Sequence, residues 1–128
     1  MLAIGGPVGV MLPGGGRGLV TVSGPRQTVT SPSRQPNGRY PDHTRAVITL
    51  KLAMQQGSAA VATSELTSRD DTGHLIALKA VGASNRTVAA GSSASVQVIG
   101  TFASGAAQVT WTHERKVLGI WTFNIELD

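Results

Sequence analysis

Arg45–Met54, RAVITLKLAM, is the stretch on which the reading of the chain turns. Ile48, Leu50, Leu52 and Met54 share one parity, and Val47, Thr49, Lys51 and Ala53 share the other. Successive side chains of a strand point to opposite faces, so this alternation predicts an antiparallel strand buried on one side.

The same period recurs toward the C-terminus. Ala94, Val96, Val98 and Phe102 hold one parity across Ser95–Ala103, with Gly100 at the same parity. A glycine there points to a bulge or to close packing by a neighbour. Ala107, Val109 and Trp111 alternate with Gln108, Thr110 and Thr112, and the HERK turn at His113–Lys116 follows. Trp121, Phe123, Ile125 and Leu127 then share a face. Short connections predict a β-meander of these last three strands. Trp111, Trp121 and Phe123 are read as core anchors, with an aromatic binding surface as the alternative. Between the two regions, Ala59–Thr63 reads as a weak strand and Ser64–Ser68 as an edge or loop. Asp70-Asp71-Thr72-Gly73 is a turn signal, His74–Val81 a further strand, and Thr87–Ala89 a short one.

Upstream of Arg45 the chain is rich in Gly and Pro. Leu19–Val22 has strand composition and ends at Gly24-Pro25, and Gln27–Thr30 reads as a second short strand. Residues 31–44 include SPSRQPNGRYPD, with three prolines and an Asn-Gly pair, and are expected as an exposed loop. No segment holds a helical period over ten residues. The domain division is a flexible apolar, Gly-rich leader over 1–17 and a sandwich over 18–128. The fold class is all-β: an antiparallel immunoglobulin-like β-sandwich of about seven strands.

Leu2–Leu12, LAIGGPVGVML, is apolar but interrupted by three glycines and a proline. It is short for a membrane span and lacks the basic start of a signal peptide. It is read either as a loose tail or as the remnant of an export segment whose start lies upstream. Cysteine is absent from the 128 residues, which excludes disulfides, thiolate ligands and a lipidated cysteine.

The formal net charge is +4. The excess lies in the first half, where six Arg and Lys residues face one acid, Asp42. These cations are spread singly, and Tyr40 is the sole aromatic before Phe102, so the pattern lacks the clustered cations and stacking aromatics of a nucleic-acid site. The chemistry-bearing residues are equally sparse. Gly14-Gly15-Gly16-Arg17-Gly18 lacks phosphate-loop spacing. His43, His74 and His113 form no metal-ligand pair with one another, and His113-Glu114 has Val117 where H-E-x-x-H needs its second histidine. Asp70 and Asp71 lack the further ligands of a calcium loop, and a self-capping turn accounts for both. Asn85-Arg86-Thr87 fits the glycosylation triplet, which matters only in a eukaryotic secretory pathway. No catalytic, cofactor-binding or metal-ligating residue is therefore assigned, and no cofactor is expected. An enzyme built on Asp70, Asp71, His74 and His113 is the reading that a structure has to test.

RAVITLKLAMQQGSAAV, DDTGHLIAL, VAAGSSASVQVIGTF and ASGAAQVTWTHERKVLGIWTFNIELD together carry a resemblance. Residues 45–128 resemble the telokin-like, immunoglobulin-like domain of exported actinobacterial proteins and lipoproteins of unassigned role, a group related to a mycobacterial secreted immunogenic protein. The resemblance implies a non-enzymatic interaction module, secreted or in the cell envelope, with a protein or envelope partner and no catalytic residues. If Met1 is the true start, the expected compartment is the cytoplasm. The alternative function is a structural or assembly subunit, of phage or surface-layer type, that docks on a neighbour through its N-terminal arm.

Overall fold

The computed structural model describes residues 2–27, 43–103 and 105–125. The described residues form twelve strands and one 3-10 turn (Thr63–Glu65), the strands in the order β1 (Leu2–Ala3), β2 (Val8–Met11), β3 (Arg17–Gln27), β4 (His43–Gln56), β5 (Ala59–Ala62), β6 (Leu66–Asp70), β7 (Leu75–Ile76), β8 (Lys79–Val81), β9 (Asn85–Val88), β10 (Ser93–Ala103), β11 (Gly105–His113) and β12 (Lys116–Ile125). One sheet runs β1-β12-β11-β6-β7 and the other β2-β3-β4-β10-β8, while β5 and β9 form a separate ribbon. The fold is an all-β sandwich, as the alternation predicts, with more strands than the seven expected because several are only two to four residues long.

The deciding stretch sits at the centre of the second sheet, between β3 and β10. Ile48, Leu50 and Leu52 are wholly buried and Met54 nearly so. They face Trp111, Trp121 and Val109 of the first sheet within one apolar core. Phe102 and Phe123 join the two sheets edge to face, with ring centroids 5.5 Å apart at 81°, an arrangement that sets the positive rim of one ring against the negative face of the other. Val61 and Val88 of the ribbon are also buried in this core. The two-residue turn at Glu114 and Arg115 has both residues at positive φ (49° and 69°), the primed-turn geometry that matches the twist of a hairpin.

Four expectations are corrected. Residues 2–12 are not outside the sandwich. β1 pairs with β12 in parallel and β2 pairs with β3, so the segment gives one edge strand to each sheet. Val10 and Leu12 are buried, and Leu2, Ile4 and Val8 pack against the core. The arm expected to dock on a neighbour in the assembly alternative is thus engaged by its own chain, and Gly5, Gly6 and Pro7 lie in the bend from one sheet to the other rather than in a loose tail.

His74–Val81 is not one strand. It splits into β7 and β8, which belong to opposite sheets. Ile76 and Leu78, on one parity, turn inward at the edge of the sandwich, while Leu75, Ala77 and Val81, on the other, are exposed. An added β-carbon at Gly100 would lie 2.9 Å from Leu78 Cδ2 and 3.1 Å from Ile76 Cγ2. The glycine in the strand pattern therefore marks side chains packing over the backbone. The meander of the last three strands is also absent. β10 and β11 lie in different sheets, and only β11 and β12 form a hairpin. Period-two patterning is identical for a hairpin turn and for a short link that crosses between sheets. Finally, β3 runs through Gly24-Pro25 with a register shift between Ser23 and Arg26, rather than stopping there. Most of the Pro-rich loop at 31–44, and Thr28–Thr30 of the short strand expected over 27–30, fall outside the described residues; His43 and Thr44 already belong to β4.

Candidate interaction surfaces

Asp70 closes β6 and organises the turn that follows. Its Oδ1 accepts from Thr72 N (3.0 Å), the Thr72 hydroxyl (2.7 Å) and His74 N (2.9 Å). Thr72 Oγ1 also lies 2.8 Å from His74 Nδ1. The Thr72 hydroxyl holds the Asp70 carboxyl below the usual aspartate range, helped by the two backbone N–H groups and by His74, against a smaller opposing effect of burial. A carboxylate occupied by three donors and acidified in this way is a poor base. With the Thr72 proton given to Asp70, His74 Nδ1–H donates to the hydroxyl oxygen. That is the reverse of the polarity by which a histidine activates a nucleophile. The cluster is a self-capping turn.

His113 is held elsewhere. Its Nδ1 lies 2.5 Å from Glu65 Oε2, while Glu65 Oε1 accepts from Ala62 N at 2.8 Å. Both side chains are largely buried. Asp70 pairs with Ala107, six positions before His113 on β11. At 3.4 Å per residue the two sites stand about 20 Å apart, so Asp70, Asp71, His74 and His113 do not converge. Among the described residues no three His, Cys, Asp or Glu side chains come together as a metal site. The sequence pattern did not single out Glu65, because its partner lies 48 positions away.

Charge separates by sheet. Paired residues share a face, so the registers place Arg26, Arg45, Lys51 and Lys79 together on the outer surface of the β2-β3-β4-β10-β8 sheet, and Arg17 joins them through its pairing with exposed Met11; all five cations are exposed. Arg86 on β9 adds a sixth exposed cation. No described carboxylate lies on these strands. Glu65, Asp70, Asp71 and Glu114 belong to the segments around β6, β7, β11 and β12, together with Arg69, Arg115 and Lys116. The spacing of single cations along the sequence conceals this grouping, which arises because alternate positions of neighbouring strands meet on one face.

Among the described residues, three of the open clefts border the sheet edges. One of about 390 Å³, between Thr63–Thr67 and Leu75–Leu78, is lined by no charged group. A second of about 310 Å³ lies beside Arg86 and Gln97. The largest of the three, about 590 Å³, lies where β7 crosses to β8; Arg45 and Lys79 line it together with Leu75, Ile76 and Ile99. Leu75 is 63% exposed at its mouth. The described residues contain no helix long and apolar enough to cross a membrane.

These features define a class, a two-sheet β-sandwich. Within that class the chain is similar in fold to MPT63, a secreted protein from Mycobacterium tuberculosis, at 15% identity over 93% of each chain with a TM-score of 0.63. It is also similar to an uncharacterized β-sandwich protein from Clostridium difficile, at 7% identity over 98% of this chain and 93% of that one, with a TM-score of 0.53. No family model and no curated protein sequence matches the chain. At these identities the likeness establishes the β-sandwich.

Proposed function

We propose that this chain is a non-enzymatic interaction module of the immunoglobulin-like, telokin-like type, exported or associated with the cell envelope, that works by surface contact. The observation that carries the reading is the outer face on which Arg17, Arg26, Arg45, Lys51 and Lys79 stand without a described carboxylate. Such a face attracts an acidic protein or an anionic envelope surface and repels a basic one. The scattering of Asp70, His74 and His113 over separate elements supports contact rather than catalysis. Sharing a fold with a secreted mycobacterial protein supports export.

The contact is tested with polyglutamate as the acidic probe. The chain binds it at low salt and releases it as salt rises, and Arg26→Gln/Lys51→Gln weakens binding. Undiminished binding by that variant overturns the assignment of the face. Fractionation of the native host tests export, and recovery of all the protein in the cytosol overturns it.

A further inference from the structure

We infer that the cleft at the β7–β8 crossover binds a small single-chain amphiphile with a carboxylate head, of the fatty-acid class. The inference rests on the reading that the chain works by contact, and it names a ligand for one defined place on that surface.

The argument starts from why the cleft exists. The chain leaves the first sheet at Ile76 and enters the second at Lys79, so Ala77 and Leu78 bridge the two layers instead of extending either. β8 then pairs with β10 only at Gln97, Val98 and Ile99. β10 continues to Ala103, so the backbone of Gly100 and Thr101 faces the cleft where a neighbouring strand would otherwise lie. Leu75 and Ile99 give the cleft an apolar lining, while Leu78 and Ile76 fill the space over Gly100 on the inner face.

The charges are placed by register. Lys79 is paired with Ile99, and Arg45 with Thr101, on opposite sides of β10. Two strand spacings and a two-residue offset separate their backbones by roughly 12 Å, a gap that two long side chains can close around one head group. Neither is in an ion pair with a described carboxylate. The planar guanidinium of Arg45 can donate two parallel hydrogen bonds to a carboxylate, with Lys79 adding a point charge. Of the three clefts, this one combines two cations with an apolar wall, and its volume is in the range of small-molecule sites. An anion lacking an aliphatic body leaves Leu75 and Ile99 in water. A neutral chain leaves the two cations without a partner. The amphiphile satisfies both.

The test is titration of the full chain with decanoate below its micellar concentration, followed by amide NMR. Acetate and decyltrimethylammonium serve as head-only and opposite-charge probes. Decanoate is expected to give saturable shifts at residues 75–80 and 99–101, with acetate and the cation giving none there. Lys79→Gln and Arg45→Gln should each weaken decanoate about tenfold, the effect of one charge-assisted hydrogen bond. Leu75→Ser should weaken it as well. All three side chains are exposed, so the variants are expected to keep the wild-type spectrum away from the cleft. Absence of saturable shifts overturns the inference, as does equal binding of the cationic amphiphile or indifference to all three substitutions. Polyglutamate binding that depends on Arg26 and Lys51 in the same samples would leave the contact reading standing while the cleft assignment fell.

Discussion

The indole of Trp121 lies over the backbone of Gly119. A β-carbon added at residue 119 would stand 2.5 Å from Trp121 Cη2 and 2.8 Å from Cζ3. The two residues share a face of β12, and the missing side chain of one makes room for the large side chain of the other. Gly119→Ala should therefore destabilise by overpacking, about 1–3 kcal/mol, and Trp121→Ala by leaving a cavity, about 3–5 kcal/mol. In a Trp121→Leu background the cost of Gly119→Ala should shrink. Urea melts of the single and double variants check the pair, and strict additivity would show that the two residues do not compete for space.

Two other glycines should rank by what their added atom meets. At Gly18 it would stand 2.8 Å from the carbonyl oxygen of Ala53, which is fixed by sheet pairing. At Gly100 it would meet the ends of Leu78 and Ile76, which can move. Gly18→Ala is expected to cost about 1–3 kcal/mol and Gly100→Ala about 1 kcal/mol or less. Chemical denaturation of both checks the order.

The N-terminal segment is part of the fold. Deleting residues 1–12 removes Val10 and Leu12 from the core and an edge strand from each sheet. At about 1.5–3 kcal/mol for each buried side chain, the deletion should lower stability by roughly 3–6 kcal/mol or more. Thermal melts check this, and an unchanged Tm would show that β1 and β2 are not held in solution.

The Glu65–His113 pair ties the 3-10 turn to the end of β11. His113→Ala leaves a largely buried carboxylate oxygen without its partner and should cost about 1–3 kcal/mol. Glu65→Ala also removes the acceptor for Ala62 N. A double-mutant cycle on denaturation free energies should give a coupling of about 1 kcal/mol or more.

Asp70 makes stability depend on acid. Its carboxyl is more acidic folded than unfolded, through the Thr72 hydroxyl first. Its contribution is therefore fully present above the unfolded pKa and is lost as pH falls through the folded one. Tm of the wild type should be insensitive to this group above about pH 5 and should fall below about pH 4. Asp70→Asn should flatten that part of the profile.

The sequence by itself determined the strand character and the inward faces. Ile48, Leu50, Leu52 and Met54, then Val96, Val98 and Phe102, then Ala107, Val109 and Trp111, are buried as their alternation requires, because a period of two is a local consequence of the pleat. It also determined the DDTG turn, whose hydrogen bonds span at most four residues. Tertiary structure alone decided which strands are neighbours. It placed β10 and β11 in opposite sheets, broke HLIALKAV into two strands, and drew Leu2–Leu12 into both layers. A short link between alternating runs has the same composition whether it reverses within a sheet or crosses between sheets, and the choice depends on which partner buries more apolar surface. The same holds for the surfaces. Arg26, Arg45, Lys51 and Lys79 are scattered singly in sequence, and they become one cationic face and one charged cleft only when β3, β4, β10 and β8 are laid side by side.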